Sequence, residues 1–94
     1  MRISAHAQER AYRVKDGEKS VERVFEVERN GRKQLHIMLS DATIVVVDKE
    51  RNKIVTYLNC RPSQVLKYYE AEGVATPIHL LQQAKLNVEN KMNY

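Results

Sequence analysis

Residues 34–58 read QLHIMLSDATIVVVDKERNKIVTYL, and they carry the clearest structural pattern in the chain. It contains three strand-like runs separated by two short turns, at 34–39, 43–47 and 54–58. The first run alternates apolar with other residues, as in a strand with one buried face, which predicts that His36 is exposed. The second is β-branched throughout, which favours a central strand covered on both faces. Short turns force consecutive strands to be antiparallel neighbours, so the stretch predicts a meander.

The segment before the meander, residues 20–29, fits two structures. Val21, Val24 and Phe25 have helical spacing, and on this ground we interpret the segment as a helix. Its residues also alternate with a period of two, and the Asn-Gly pair at 30–31 is a strong hairpin signal. The alternative is therefore a fourth strand paired with the first strand of the meander.

Further helices are predicted at both ends of the chain. Ser4 can cap a helix that runs to about Val14, rich in alanine. Pro62 fits the first position of a second helix, which Gly73 stops. A last helix begins near Pro77.

These elements predict an α+β fold and a single domain over residues 1–94. One N-terminal helix or two would pack on a three- to four-stranded antiparallel meander within residues 1–58. Two helices would occupy residues 59–94. A chain of 94 residues with 43% hydrophobic residues is sufficient for one core.

The composition also indicates in which cellular compartment the protein is found. The longest uncharged apolar stretch, residues 42–47, is far shorter than the roughly 20 residues that span a bilayer, so no membrane contact is expected. The N-terminus lacks the apolar segment of a secretory signal. The single cysteine, Cys60, excludes an intrachain disulfide and fits a reducing compartment, where it would be a small buried thiol. We therefore expect a cytoplasmic protein.

The net charge and the absence of known motifs exclude several classes of function. The net charge is +4, and residues 1–33 hold nine basic against six acidic residues. Such an excess attracts phosphate backbones, although it is also common on ordinary solvated surfaces. Phosphate-binding, dinucleotide-binding and hydrolase motifs are absent, and the three histidines lack metal-ligand spacing. No metal and no cofactor are expected.

One cluster on the first helix suits phosphodiester chemistry. At 100° per residue, His6, Arg10 and Arg13 fall in one sector. An imidazole can transfer a proton to or from a ribose 2′-hydroxyl, and guanidinium groups can hold the phosphate and stabilise its developing charge. The alternative is that His6 packs at the edge of the core while the arginines form a solvated face.

The first helix and two of the predicted strands resemble those of a known protein family. The opening Ile3–Arg10, ISAHAQER, resembles the His-Ala-x-x-Arg helix that begins a family of small bacterial and phage domains. The runs at 43–48 and 53–57 resemble the meander strands of that family, while the chain departs from its pattern after Arg13. The family is similar to the RelE, colicin and barnase superfold of metal-independent ribonucleases.

The resemblance implies RNA as the partner and assigns roles to individual residues. His6 would be the acid or base, and Arg10 would hold the phosphate, whereas Arg13 falls where the chain departs from the family pattern. Thr56 and Tyr57 would face opposite ways on the third strand, so only one of them would line the site. The site residues that we predict from the resemblance and from the basic surface are His6, Arg10, Arg13, Thr56, Tyr57, Arg32 and Lys33.

Three functions therefore stand at this point. The first is a small metal-independent ribonuclease, and the second is an inert nucleic-acid-binding regulator on the same scaffold. The third is a regulator or inhibitor that binds a protein partner or forms a homodimer through the C-terminal helices. The apolar residues of that region suggest such an interface: Tyr68, Tyr69, Leu80, Leu81, Leu86 and Met92. The alternative is that they cover the open face of the sheet.

Overall fold

The computed structural model describes residues 1–14 and 17–91, and its fold is α+β. The strands are β1 (Arg2–Ile3), β2 (Val21–Arg29), β3 (Arg32–Leu39), β4 (Thr43–Asp48) and β5 (Lys53–Asn59). The helices are α1 (Ala5–Glu9), a 3₁₀ helix (Ala11–Arg13), α2 (Pro62–Ala71) and α3 (Ile78–Lys91). The strands form one sheet in the order β1-β5-β4-β3-β2. Within the described residues, no helix is long and apolar enough to cross a membrane.

The predicted meander and the two C-terminal helices are present. Strands β3, β4 and β5 pair as antiparallel neighbours through short turns. Helix α2 begins at Pro62, whose missing N–H costs nothing at a first helical position. Gly73 follows α2 with a φ of 66°, a left-handed conformation that glycine adopts without strain.

The helix predicted for residues 20–29 is wrong, because these residues form strand β2. Asn30 and Gly31 both have positive φ, 52° and 73°, as a two-residue hairpin turn requires. The turn pairs β2 with β3 along almost its whole length. Pairing and burial thus outweigh a weak helical spacing. Phe25 is 2% exposed and its neighbour Val24 is 46% exposed, the alternation of an edge strand.

The N-terminal segment also differs from the prediction. The sheet has five strands instead of three or four, because β1 pairs with β5 in parallel. Two residues are too few to give a strand signal in the sequence. The first helix ends at Glu9 and gives way to the 3₁₀ helix, so the prediction of one helix to Val14 is wrong. Ser4 does cap α1, since its Oγ accepts a hydrogen bond from the Ala7 N–H at 2.9 Å.

Helices α2 and α3 cover one face of the sheet. Tyr69 of α2 and Leu80 of α3 are buried in the core, whereas Leu86 is 46% exposed, and Met92 lies outside the described residues. The buried core consists of Phe25, Met38, Ala42, Ile44, Val46, Cys60, Val65, Tyr69, Leu80 and Ala84. The helices therefore serve as the cover that a sheet needs.

His36 lies on this covered face, which corrects its predicted exposure. The side chain is 2% exposed. It belongs to a row that crosses the sheet on one face, formed by the paired residues Phe25, His36, Val46 and Thr56. The apolar residues Leu35 and Ile37, which suggested the buried face, lie on the other side and are only half-buried. The Tyr68 hydroxyl gives His36 a hydrogen-bond partner, so its burial leaves no unpaired ring nitrogen on that side.

Candidate nucleic-acid interface

The N-terminal segment is fastened along the outer edge of β5. The Ser4 hydroxyl donates a hydrogen bond to the Val55 carbonyl at 2.8 Å. Further along, Arg13 Nη1 donates to the Tyr57 carbonyl at 3.0 Å, and Asn59 Nδ2 donates to the Arg13 carbonyl at 2.8 Å. These bonds satisfy backbone groups that an edge strand would otherwise expose. They also fix the position of the cationic side chains that this segment carries.

The charge of the whole chain is concentrated here. Residues 1–14 and 53–63 contain five of the 16 basic residues and one of the 12 acidic residues, Glu9. The 11 basic and 11 acidic residues elsewhere cancel, so these two segments account for the net charge of +4. We call this surface the basic edge and define it by its basic residues and its histidine, Arg2, His6, Arg10, Arg13, Lys53 and Arg61.

Arg13 and Arg61 line the same depression at the start of α2. It has a volume of about 290 Å³, and Asn59, Ser63 and Gln64 contribute polar groups to its wall. Gln64 Oε1 is already engaged, because it accepts a hydrogen bond from the Arg61 N–H at 2.8 Å. The guanidinium of Arg13 has five N–H donors and spends Nη1 on the Tyr57 carbonyl. The depression is thus a polar cavity with two guanidinium groups.

His6 and Arg10 are neighbours on the outer surface of α1. The Arg10 N–H donates to the His6 carbonyl at 3.1 Å, which places the two residues one helical turn apart. Side chains with this spacing share a face of the helix. His6 is exposed and Arg10 is half-buried. The His6 imidazole is therefore open to a ligand, and Arg10 follows it at the C-terminal end of α1.

The predicted site residues Thr56 and Tyr57 lie on opposite faces of the sheet. Tyr57 pairs with Val45 on the face away from the helices, whereas Thr56 pairs with Val46 on the covered face. The two therefore point in opposite directions, and Thr56 lies in the same row as His36. The contact of Tyr57 with Arg13 is made through its backbone carbonyl.

Arg32 and Lys33 lie apart from the basic edge. Both residues begin β3, which β4 separates from β5. Arg32 Nη1 lies 3.9 Å from Asp48 Oδ2 in an ion pair, and Lys33 faces Glu28 across the β2–β3 pair. Their charges are thus partly balanced by acidic neighbours, and the structure does not bring them to His6.

Sequence reasoning missed Arg2, Lys53 and Arg61 of the basic edge, and it missed Tyr12 and Asn59, which lie beside Arg13. Tyr12 is 69% exposed, and the Arg13 guanidinium carbon lies 5.8 Å from the centre of its ring. An exposed aromatic ring beside cations is a platform on which a base can stack. Arg61 stands 48 residues from Arg13 in the sequence, so only the pairing of the N-terminal segment with β5 reveals that they are neighbours.

Comparisons with known proteins add no relative. No family model, no curated protein and no solved structure matches the chain. The resemblance to the ribonuclease superfold and the proposed homodimer both stay predictions.

Proposed function

We propose that the protein binds RNA through the basic edge. The observation that carries this proposal is the concentration of the entire net charge on the two segments that meet at β5. Neutralisation of phosphates by arginine and lysine releases condensed counterions, which is the main source of affinity for a nucleic acid. Arg13 and Arg61 would hold one phosphate in their shared depression, and Arg10 would hold another.

Tyr12 favours a single-stranded ligand over a duplex. Bases in a single strand are splayed out and free to stack on aromatic rings, whereas those of a duplex are not. The ring of Tyr12 is exposed beside Arg13, so a phosphate and a base of the same strand can be bound together.

A second function, metal-independent cleavage of the bound RNA, is favoured by one observation. The exposed His6 imidazole lies one helical turn from Arg10. His6 would take the proton of a ribose 2′-hydroxyl while the 2′-oxygen attacks phosphorus and Arg10 stabilises the charge. The bond from phosphorus to the 5′-oxygen breaks, leaving a 2′,3′-cyclic phosphate, and the 5′-oxygen receives a proton from water or the imidazolium.

RNA binding is expected to weaken steeply with salt. If Arg10, Arg13 and Arg61 neutralise about three phosphates, the logarithm of the association constant should fall with the logarithm of salt concentration with a slope of about −2. The measurement is fluorescence anisotropy with a labelled single-stranded RNA, alongside a DNA of the same sequence and an RNA duplex. Binding that ignores salt, or is undetectable at low salt, would refute the proposal. Tighter binding of the DNA or the duplex would refute the choice of single-stranded RNA.

The same mixtures test cleavage when they are incubated with EDTA and resolved on a gel. Catalysis predicts fragments ending in a 2′,3′-cyclic phosphate for the wild type and intact RNA for His6→Ala, with RNA binding retained by both. If the RNA stays intact with bound wild-type protein, or if His6→Ala cleaves equally well, the catalytic role of His6 is wrong. The binding proposal is unaffected by either outcome.

A further inference from the structure

A second cavity lies between α2 and the sheet, toward the edge formed by β2. It has a volume of about 490 Å³, within the range of roughly 300–1,000 Å³ that is usual for small-molecule sites. Its apolar wall comes from both layers and consists of Phe25, Val27, Leu58, Tyr68 and Ala71. The cavity extends from β2 to Leu58 of β5, and it shares Leu58 and Gln64 with the depression at Arg13 and Arg61. None of the residues that define the basic edge lines it.

The polar floor of the cavity is formed by His36 and Tyr68, and Gln34 extends their chain of hydrogen bonds behind it. His36 Nε2 lies 2.9 Å from Gln34 Oε1, which only accepts, so Nε2 carries the proton. His36 Nδ1 then accepts the hydrogen bond of the Tyr68 hydroxyl at 2.5 Å. Burial, together with the positive charge of Arg29, lowers the pKa of His36 to about 4. The floor is accordingly neutral at physiological pH, and it positions the Tyr68 ring.

The two acidic residues that line the cavity already form ion pairs. Glu26 and Glu72 line the cavity, but each is held by a cation from outside it. Glu26 Oε1 lies 3.4 Å from Lys49 Nζ, and Glu72 Oε2 lies 2.7 Å from Arg23 Nε.

The two cations of the cavity are Arg29 and Lys67, and neither forms an ion pair with any residue in 1–14 or 17–91. Two cations beside an apolar wall and a neutral floor fit a ligand with one anionic end and one apolar end.

We propose that this cavity binds a small carboxylic acid anion with an alkyl or aryl body. Its carboxylate would contact Arg29 and Lys67, and its apolar body would lie against Phe25, Val27 and Leu58. The Tyr68 hydroxyl donates its hydrogen bond to His36, so the hydrogen bonds to the carboxylate would come from Arg29 and Lys67. This binding does not depend on RNA, since the basic edge contributes no residue to the cavity.

Three probes of equal chain length test the proposal by NMR titration of the full chain: octanoate, 1-octanol and octylammonium. Octanoate is expected to shift amide signals of α2 and β2 in a saturable manner, and the two other probes are expected to bind at least tenfold more weakly. Lys67→Gln and Arg29→Gln should each weaken octanoate binding about tenfold, the usual effect of losing one charge-assisted contact. Lys85→Gln, an exposed lysine of α3, is the matched control and should leave the affinity unchanged.

Several results would overturn the proposal. If 1-octanol or octylammonium binds as tightly as octanoate, the anionic end of the ligand does not contribute to binding. Equal affinity in Lys67→Gln and wild type would remove the cation from the site. Saturable shifts confined to α3 or to the basic edge, or no shifts at millimolar octanoate, would exclude the cavity. Unchanged thermal melts of the variants ensure that a loss of binding is not a loss of fold.

Discussion

Between pH 7 and pH 4, the free energy of unfolding is expected to fall by about 3 kcal/mol through His36 alone. The pKa of His36 is lowered from 6.5 to about 4 in the folded protein, by burial first and by Arg29 second. Between these two values the unfolded chain binds a proton that the folded chain does not. The stabilisation is therefore complete above about pH 6.5 and is lost as the pH falls through the window toward 4.

Urea unfolding at several pH values measures this effect. Carboxylates add their own pH dependence, so the decisive quantity is the difference between wild type and His36→Gln. The variant should be less stable at pH 7, and the gap between the two proteins should narrow as the pH falls. His6→Gln, which removes an exposed imidazole, should follow the wild type. Parallel curves for wild type and His36→Gln would show that His36 is not held neutral by the fold.

Phe25→Ala is expected to lower the free energy of unfolding by about 3–5 kcal/mol. The side chain is 2% exposed, and its ring centre lies 5.0 Å from that of Tyr68 and 5.2 Å from that of Tyr69. Truncation removes these contacts and leaves a cavity between β2 and α2. Chemical denaturation monitored by circular dichroism gives the difference directly.

Val24→Ala is the matched control for this substitution. Val24 is the adjacent residue and is 46% exposed, so its truncation should cost less than about 1 kcal/mol. The contrast between neighbours tests the strand assignment itself, because residues i and i+1 face opposite sides only in a strand. Similar losses at both positions would contradict the burial pattern of β2.

The sequence was sufficient for the meander because its signals are local. The β-branched run at 43–47 and the short turns on either side have few structural alternatives. The segment 20–29 is different, since its helical spacing and its alternation compete within the same ten residues. Only pairing with β3, which depends on the turn at 30–31 and on burial of Phe25 under α2, selects the strand. The two-residue β1 exists solely through its partner β5.

For the candidate RNA-binding site and for His36, too, the sequence predicts contacts between residues close in the chain but not contacts between distant ones. The backbone neighbourhood of His6 and Arg10 is local, because the two residues lie within one turn. The predicted sharing of one helical sector with Arg13 is wrong, because the helix ends at Glu9 and Arg13 lies in the 3₁₀ helix. The contribution of Arg61 did not follow from local spacing, since it depends on how the N-terminal segment runs along β5. His36 was misjudged because β3 has apolar residues on both faces, so alternation alone did not identify the face that the helices cover. Its partner Tyr68 lies 32 residues away.

The most direct test of RNA binding at the basic edge compares two double variants of equal net charge. Arg10→Gln with Arg61→Gln removes two charges from the basic edge, and Lys19→Gln with Lys85→Gln removes two from elsewhere. At about 0.1 M salt, the first pair should weaken binding of single-stranded RNA by roughly tenfold or more and reduce the salt slope by about 1.4. The second pair should change the affinity less than about twofold, because distant charges are screened. Equal losses in the two variants would show that only net charge matters and would contradict a binding site at the basic edge.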